Sequence, residues 1–167
     1  MIRPELHRPL PLEQIGPGGR TVEIEANPAE CAALAHRLGI PAVLALSCRF
    51  RLGAPRQGQV PAEGELRARL RRVCVVTLDE FDTEVSERFH VRFVPAGKES
   101  EAADDPEADD EIPYENASLD LGEAAVEQLA LGLDAYPRKP GAVLPEEAED
   151  LPESPFAALG RLRPPRA

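Results

Sequence analysis

Tryptophan is absent from this chain of 167 residues, methionine occurs once, and aromatic residues make up only 4% of the composition. Proline is abundant instead, with 18 residues, which is about twice the usual share. Few large apolar side chains and many residues that interrupt regular structure predict a hydrophobic core that includes only part of the chain. The length fits one domain of ordinary size rather than two full domains.

Long apolar runs are missing as well, which argues against a membrane protein. The longest runs, at 43–46 and 73–76, are far shorter than the roughly 20 residues that a membrane-spanning helix requires. Residues 1–11 contain charges and prolines where a secretory signal would have a continuous apolar stretch. We therefore expect a cytoplasmic protein that does not associate with membranes.

Cysteine and histidine are few and dispersed, so the usual ligand spacings of a metal site are absent. Cys31, Cys48 and Cys74 form an odd-numbered set, and their wide spacing matches neither a disulfide framework nor a CxxC motif. The histidines at positions 7, 36 and 90 form no HxH or HExxH pattern. We expect three buried thiols, no metal site and no cofactor.

Recognisable catalytic motifs are missing too. The sequence contains no GxSxG nucleophile elbow, no GxxxxGKS/T phosphate loop and no GxGxxG turn between a strand and a helix. The carboxylates of 79–84 are typical of a solvated turn rather than a Mg²⁺ site. The glycines of 16–19 lack the lysine of a phosphate cradle. We therefore expect a protein that is not an enzyme.

Charge is distributed unevenly along the chain, whose 19 basic and 30 acidic residues give a net charge of −11. Residues 1–98 hold 14 basic and 12 acidic side chains, residues 99–153 hold 2 and 18, and residues 154–167 hold three arginines and no acid. Segment 99–111 has eight acids among thirteen residues and cannot bury enough apolar surface to become ordered. We expect a disordered acidic loop there, serving either as a solvated linker or as an arm that competes with RNA or binds a basic ribosomal protein.

A strand followed by a helix is predicted near the N-terminus. Val22 and Ile24 alternate with polar residues over 20–26, as in a half-buried strand. Asn27 then occupies an N-cap position, followed by a proline and an acid in the first helical turn. These signals predict a helix over 29–38 that ends at the following glycine.

Three further strands complete an antiparallel meander. They are predicted over 42–52, 59–78 and 83–94. The adjacent Arg71 and Arg72 break the alternation of the second of these strands, so we expect a bulge there. Residues 112–114 are able to rejoin the sheet after the acidic loop.

Helical spacing returns over 123–133, with Asp120 as the N-cap residue. Prolines and acids over 137–153 predict a flexible linker. The apolar residues of 154–162 have the spacing of a short C-terminal helix.

The predicted fold is one α+β domain over residues 1–167. It consists of an antiparallel sheet of four to five strands with two helices on one face, a short C-terminal helix and the inserted acidic loop. Its core covers approximately residues 20–95 and 112–136.

Arginine recurs at every second position of the predicted strands, which places these side chains on one face of the sheet. Guanidinium groups suit phosphate oxygens, so such a sheet would follow an RNA backbone by charge and shape. The simpler alternative is that the arginines keep an open face hydrated and pair with the glutamates at 65, 84 and 87. Without exposed aromatic side chains for stacking, RNA contacts would be to phosphate and sugar. The candidate RNA-binding residues are Arg49, Arg51, Arg67, Arg69, Arg71, Arg88 and Arg92.

Several short motifs occur in a characteristic order along the chain. They are CVVTL at 74–78, VP at 94–95, LDLG at 119–122, EQL at 127–129 and SPFAAL at 154–159. With the acidic loop and the proline-rich segment between them, this order resembles the YceD family of large ribosomal RNA subunit accumulation proteins. The resemblance covers approximately residues 20–162.

The resemblance implies a cytoplasmic bacterial factor, also found in plastids, that is needed for the accumulation of 23S ribosomal RNA and for large-subunit assembly. It implies no catalytic residue. The implied partner is ribosomal RNA or a precursor particle of the large subunit. The alternative is an adaptor that binds a basic ribosomal protein or another assembly factor through the acidic segments, with RNA affected only indirectly. By its place in an apolar strand, Cys74 is expected to pack in the core.

Overall fold

The computed structural model describes residues 4–98 and 110–143. Over these residues the chain forms seven strands, two α-helices and one short 3₁₀ helix. The strands are β1 Pro9–Pro11, β2 Arg20–Glu25, β3 Ala42–Leu52, β4 Val60–Val73, β5 Glu80–Pro95, β6 Asp110–Tyr114 and β7 Ser118–Asp120, and the helices are α1 Pro28–Leu38 and α2 Leu121–Leu131. Most of the predicted acidic loop, the later part of the predicted linker and the predicted C-terminal helix lie outside the described residues.

Five strands form one sheet in the order β2-β3-β4-β5-β6, and the α+β class is confirmed. The strands from β2 to β5 are antiparallel neighbours, whereas β6 pairs with β5 in parallel. The prediction of a purely antiparallel sheet is therefore wrong for its last strand. Apolar and polar residues alternate along a strand in the same way whether its neighbour is parallel or antiparallel, so the sequence pattern does not show the direction of the pair. Asp110 and Glu111, predicted as the end of the acidic loop, are the first residues of β6.

The N-terminal signals of α1 act as the sequence predicts. Oδ1 of Asn27 accepts a hydrogen bond from the amide of Glu30 at 2.9 Å, and Oε2 of Glu30 accepts one from the amide of Asn27 at 2.8 Å. This reciprocal pair satisfies amide groups that the helix itself leaves free. Gly39 follows the last turn with a φ of 63°, in the left-handed region where glycine has no steric penalty.

A two-stranded sheet, which the sequence analysis did not predict, fastens the N-terminal segment to α2. Strand β1 pairs with β7, and the buried Leu10 and Leu119 lie opposite each other. Asp120 ends β7, and its Oδ1 accepts hydrogen bonds from amides in the first turn of α2. The predicted N-cap is thus confirmed. The same Oδ1 also accepts a hydrogen bond from the amide of Arg8 at 2.9 Å, which joins the helix to the N-terminal segment.

One face of the five-stranded sheet carries the hydrophobic core. Every second residue of β4 from Val60 to Leu70 is buried, and the buried residues of both helices belong to the same cluster. The rings of Phe50 and Phe89 meet edge to face across β4, with centroids 5.7 Å apart. Between them lies Gly64, where a Cβ would overlap the ring of Phe89. The opposite face of the sheet is left open.

Strand β4 ends earlier than the sequence predicts. Residues 74–79 form a turn in which the amide of Cys74 donates to the carbonyl of Asp79, and the amide of Leu78 donates to the carbonyl of Cys74, each at 2.9 Å. The strand predicted over 59–78 is therefore too long. The apolar residues at the end of the strand continue into this turn, in which Leu78 has a φ of 60°. Composition alone does not distinguish the strand from the turn.

The bulge predicted near Arg71 and Arg72 is wrong as well. Strands β4 and β5 keep a continuous register there, and the register shift lies in β3 between Val43 and Ala45. Alternation is preserved because Arg72 points to the core side, where its Nη2 donates to the carbonyl of Asp134 at 2.6 Å. A backbone carbonyl thus gives the largely buried guanidinium a hydrogen-bond acceptor.

No helix in the described part of the chain is long and apolar enough to cross a membrane. Over the same residues, no group of three or more His, Cys, Asp or Glu side chains is placed to hold a metal ion. The three cysteines are free and buried.

Candidate nucleic-acid interface

All seven candidate arginines lie on the open face of the sheet. They occupy positions that alternate with the buried residues of β3, β4 and β5, so the period of the strands sets their direction. The cross-strand register then decides their neighbours. Arg49, Arg51, Arg67, Arg69, Arg71, Arg88 and Arg92 share this face.

The same face also carries eight carboxylates, so it is not a uniformly basic surface. Two of them belong to β2, two to β4, three to β5 and one to β6. They are Glu23, Glu25, Glu63, Glu65, Glu80, Asp82, Glu84 and Glu111. Because the two signs alternate across the strands, the face as a whole is close to neutral.

Four of the seven arginines form ion pairs with carboxylates on neighbouring strands. Arg71 binds its partner through two hydrogen bonds, in which Nε donates to Oδ1 of Asp82 at 2.8 Å and Nη2 donates to Oδ2 at 3.3 Å. This hydrogen bonding lowers the pKa of Asp82 and raises the pKa of Arg71. The pairs are Arg49–Glu23, Arg71–Asp82, Arg88–Glu65 and Arg92–Glu111.

The three glutamates that the sequence suggested as partners behave differently from one another. Glu65 forms the expected kind of pair, with Arg88 at 3.5 Å. Glu84 lies opposite Arg69 without an ion pair between them in the described structure. Glu87 lies on the other face, near Gly132. Of the three predicted partners, only Glu65 therefore pairs with an arginine in the described structure.

The side chains of Arg51, Arg67 and Arg69 form no ion pair or hydrogen bond with any residue that the structure describes, and all three are exposed. Arg67 and Arg69 are next to each other on β4. Their Cα atoms are separated by about 6.6 Å, because the rise of a strand is about 3.3 Å per residue. The two side chains therefore form one pair of available guanidinium groups.

The surroundings of Arg67 and Arg69 leave room for a ligand. Ser47 and Ser86 lie on either side of Arg67 in one cross-strand row, and Ala45 lies beside Arg69 in the next row. These small side chains leave a shallow depression of about 470 Å³, which is lined by both arginines and also by Glu84. Serine hydroxyls and guanidinium groups are donors that phosphate oxygens accept. The sequence analysis did not single out the two serines, because their positions beside Arg67 depend on the register of three strands.

Cys74 differs from the buried core thiol that the sequence predicts. Its side chain is buried, but it lies in the turn after β4 and outside the main core cluster. The amide of Thr77 donates to its Sγ at 3.5 Å. Hydrogen bonds from the side chain of Thr77, and from the backbone of Lys139 and Thr77, lower the pKa of the thiol to about 7.

Comparisons with known proteins give one family. The family model for the large ribosomal RNA subunit accumulation protein YceD matches residues 62–163, which is more than half of the chain. The matched range begins in β4 and includes Arg67 and Arg69. No curated protein and no solved structure is similar enough to the chain to count as a match.

Proposed function

This chain belongs to the YceD family of large ribosomal RNA subunit accumulation proteins, and on that basis we propose that it supports the accumulation of 23S ribosomal RNA and the assembly of the large subunit. The protein acts in the cytoplasm and without catalysing a reaction. Its partner is ribosomal RNA or a precursor particle that contains it.

The contact with RNA is made by the open face of the sheet, and the availability of Arg67 and Arg69 is the observation that supports it. Unlike the paired arginines, these two can bind phosphate without first giving up a carboxylate. Ser47 and Ser86 add hydroxyl donors beside them. The remaining candidate arginines contribute less, because four are neutralised by neighbouring acids and Arg51 lies apart, opposite Glu63.

The affinity of such a surface is modest, and its sequence preference is low. The face is nearly neutral overall, so few phosphates are engaged and the eight carboxylates limit closer approach. No phenylalanine or tyrosine of the described strands lies on this face to stack on bases. Contacts to phosphate and sugar position an RNA strand without reading its bases.

The experiment that tests this contact compares two double variants of equal charge. Arg67→Gln/Arg69→Gln should lower the slope of log affinity against log salt by roughly 0.7 per arginine for a single-stranded ribosomal RNA fragment. Arg20→Gln/Arg56→Gln removes the same charge from outside the open face and should leave the slope nearly unchanged. Fluorescence anisotropy over a series of salt concentrations measures both slopes.

Equal slopes for the two variants would show that Arg67 and Arg69 do not contact phosphate. Circular dichroism of both variants serves as the control for folding. It should show no change, because the substituted side chains are exposed.

A second candidate function is that of an adaptor for a basic ribosomal protein or another assembly factor. The observation that favours it is the regional charge, with 18 acidic and 2 basic residues over 99–153. Such a region attracts basic partners and repels RNA. In this role the protein affects ribosomal RNA indirectly, through the partner that it binds.

A further inference from the structure

A groove of about 390 Å³ lies between the first half of α2 and the segment formed by β6, β7 and the turn between them. Its floor is apolar. Phe93, Tyr114 and Ala124 are already buried beneath it, so the apolar surface left for a partner comes from the half-buried Ile112 and the exposed prolines at 9 and 113. The groove is separate from the open face, because Phe93 and Ile112 alternate with the residues that carry the arginine surface.

Four carboxylates line the rim of this groove, and two of them are already engaged. Asp120 caps α2 and contacts Nδ1 of His7 at 2.5 Å. Glu123 accepts two hydrogen bonds from Arg37, at 2.5 and 2.8 Å. Both carboxylates therefore hold the fold together.

Glu115 and Glu127 are the two carboxylates of the rim that remain available. Their side chains form no ion pair or hydrogen bond with any residue in the described ranges. Partial burial raises the pKa of Glu127, and the negative charge of Glu123 one turn earlier raises it further. A cation bound beside Glu127 would instead lower the pKa of this carboxyl group.

Rigid elements present both carboxylates. Glu127 lies on α2, which is fixed at its start by the Asp120 cap. Glu115 precedes a tight turn in which Asn116 and Ala117 have φ values of 53° and 52°, as in the type I′ turns that join short hairpins. A partner therefore meets a groove of defined shape, which lowers the entropic cost of binding.

We propose that this groove binds an extended basic segment of a partner protein, in which arginine or lysine alternates with aliphatic residues. Aliphatic side chains cover the apolar floor, and the cations pair with Glu115 and Glu127 at the rim. The acid-rich sequence just before β6, with six acids among residues 99–109, strengthens the attraction for a basic chain. An RNA strand does not suit the groove, because its phosphates would meet four carboxylates.

This site rests on the adaptor function proposed above and gives it a location in the fold. It is independent of Arg67 and Arg69. The two proposals can therefore fail separately.

The test uses the full chain and a fluorescein-labelled octapeptide of alternating arginine and leucine. Glu115→Gln/Glu127→Gln should weaken binding of this peptide by about fivefold, because two partly shielded ion pairs are lost. Asp104→Asn/Asp105→Asn removes the same charge from the acid-rich segment and should weaken binding by less than twofold. A peptide in which serine replaces leucine should bind more weakly to the unaltered chain, since it cannot cover the apolar floor.

Two results would overturn the proposal that a partner protein occupies this groove. The first is equal weakening of peptide binding in the two variants, or greater weakening in Asp104→Asn/Asp105→Asn. This result would show that the overall negative charge of the protein, and not the groove, holds the peptide. The adaptor function itself would not be contradicted. Tighter binding after removal of residues 154–167, which carry three arginines and no acid, would show that the chain's own C-terminus occupies the groove. A nuclear magnetic resonance titration of the Glu127 carboxyl gives a second readout, because the bound peptide should lower its pKa.

Discussion

At the scale of single residues, the three thiols lie in different electrostatic environments. Burial raises the pKa of Cys48 to about 12, and burial with nearby acids raises the pKa of Cys31. The turn around Cys74 has the opposite effect, because its hydrogen-bond donors favour the thiolate. Near neutral pH, Cys74 is therefore the thiol that loses its proton first.

This difference predicts a pH-dependent contribution of Cys74 to stability. The folded pKa of about 7 lies below the ordinary value of 9.0, so the thiolate stabilises the native state fully above pH 9, and this gain is lost as the pH falls through 7. The difference in unfolding free energy between the natural chain and Cys74→Ser should thus be larger near pH 9 than below pH 7. Urea unfolding at the two pH values measures it, and a difference independent of pH would contradict the assignment.

The residues of the open face could be predicted from the sequence, because arginines that alternate with apolar residues along a strand must lie on the face opposite the core. Their pairing could not, since it depends on the register of neighbouring strands. Arg49 and Arg67 show the contrast: both were assigned to the same face, but one faces Glu65 and contacts Glu23 while the other lies between two serines. The bulge predicted at Arg71 and Arg72 is wrong for a related reason, because a charged residue in a regular strand can still point inward when a carbonyl accepts its hydrogen bond.

At the scale of elements, the sequence signals were reliable where they are local. The N-caps of both helices, the left-handed glycine after α1 and the bounds of β3 agree with the prediction. Local signals do not reveal β1 and β7, which are three residues long and exist because they pair with each other. The direction of β6 is likewise set by its long-range pairing with β5.

The helix α2 allows a matched test of the predicted core. Leu129 is fully buried, whereas Leu131, two residues later on the same helix, is 73% exposed. Leu129→Ala should lower the unfolding free energy by roughly 2 to 5 kcal/mol, because it removes buried methyl groups and leaves a cavity. Leu131→Ala should change it by less than about 0.5 kcal/mol.

Chemical denaturation of the two variants measures this difference. Similar losses of stability for both would mean that the buried face of α2 has been assigned incorrectly.

At the scale of the whole molecule, the net charge of −11 includes the contributions of two surfaces for which we propose different ligands. The open face balances seven arginines against eight carboxylates and leaves Arg67 and Arg69 available to phosphate. The groove beside α2 combines an apolar floor with available acids and suits a basic chain. Because the two surfaces are separate, one protein could hold an RNA strand and a basic protein at the same time.

This separation leads to a prediction about ribosomal RNA in cells. In a strain that lacks the protein, expression of the Arg67→Gln/Arg69→Gln variant should restore the ratio of large-subunit to small-subunit ribosomal RNA less well than Arg20→Gln/Arg56→Gln does, if contact with phosphate is required. The natural chain and an empty vector define the two limits of this ratio, and immunoblotting shows whether the variants are equally abundant. Full restoration by Arg67→Gln/Arg69→Gln, together with failure of Glu115→Gln/Glu127→Gln, would contradict a direct role in RNA binding. The activity would then lie in the groove, since removing two acids there strengthens rather than weakens attraction for RNA, and only loss of a basic protein partner would explain the failure.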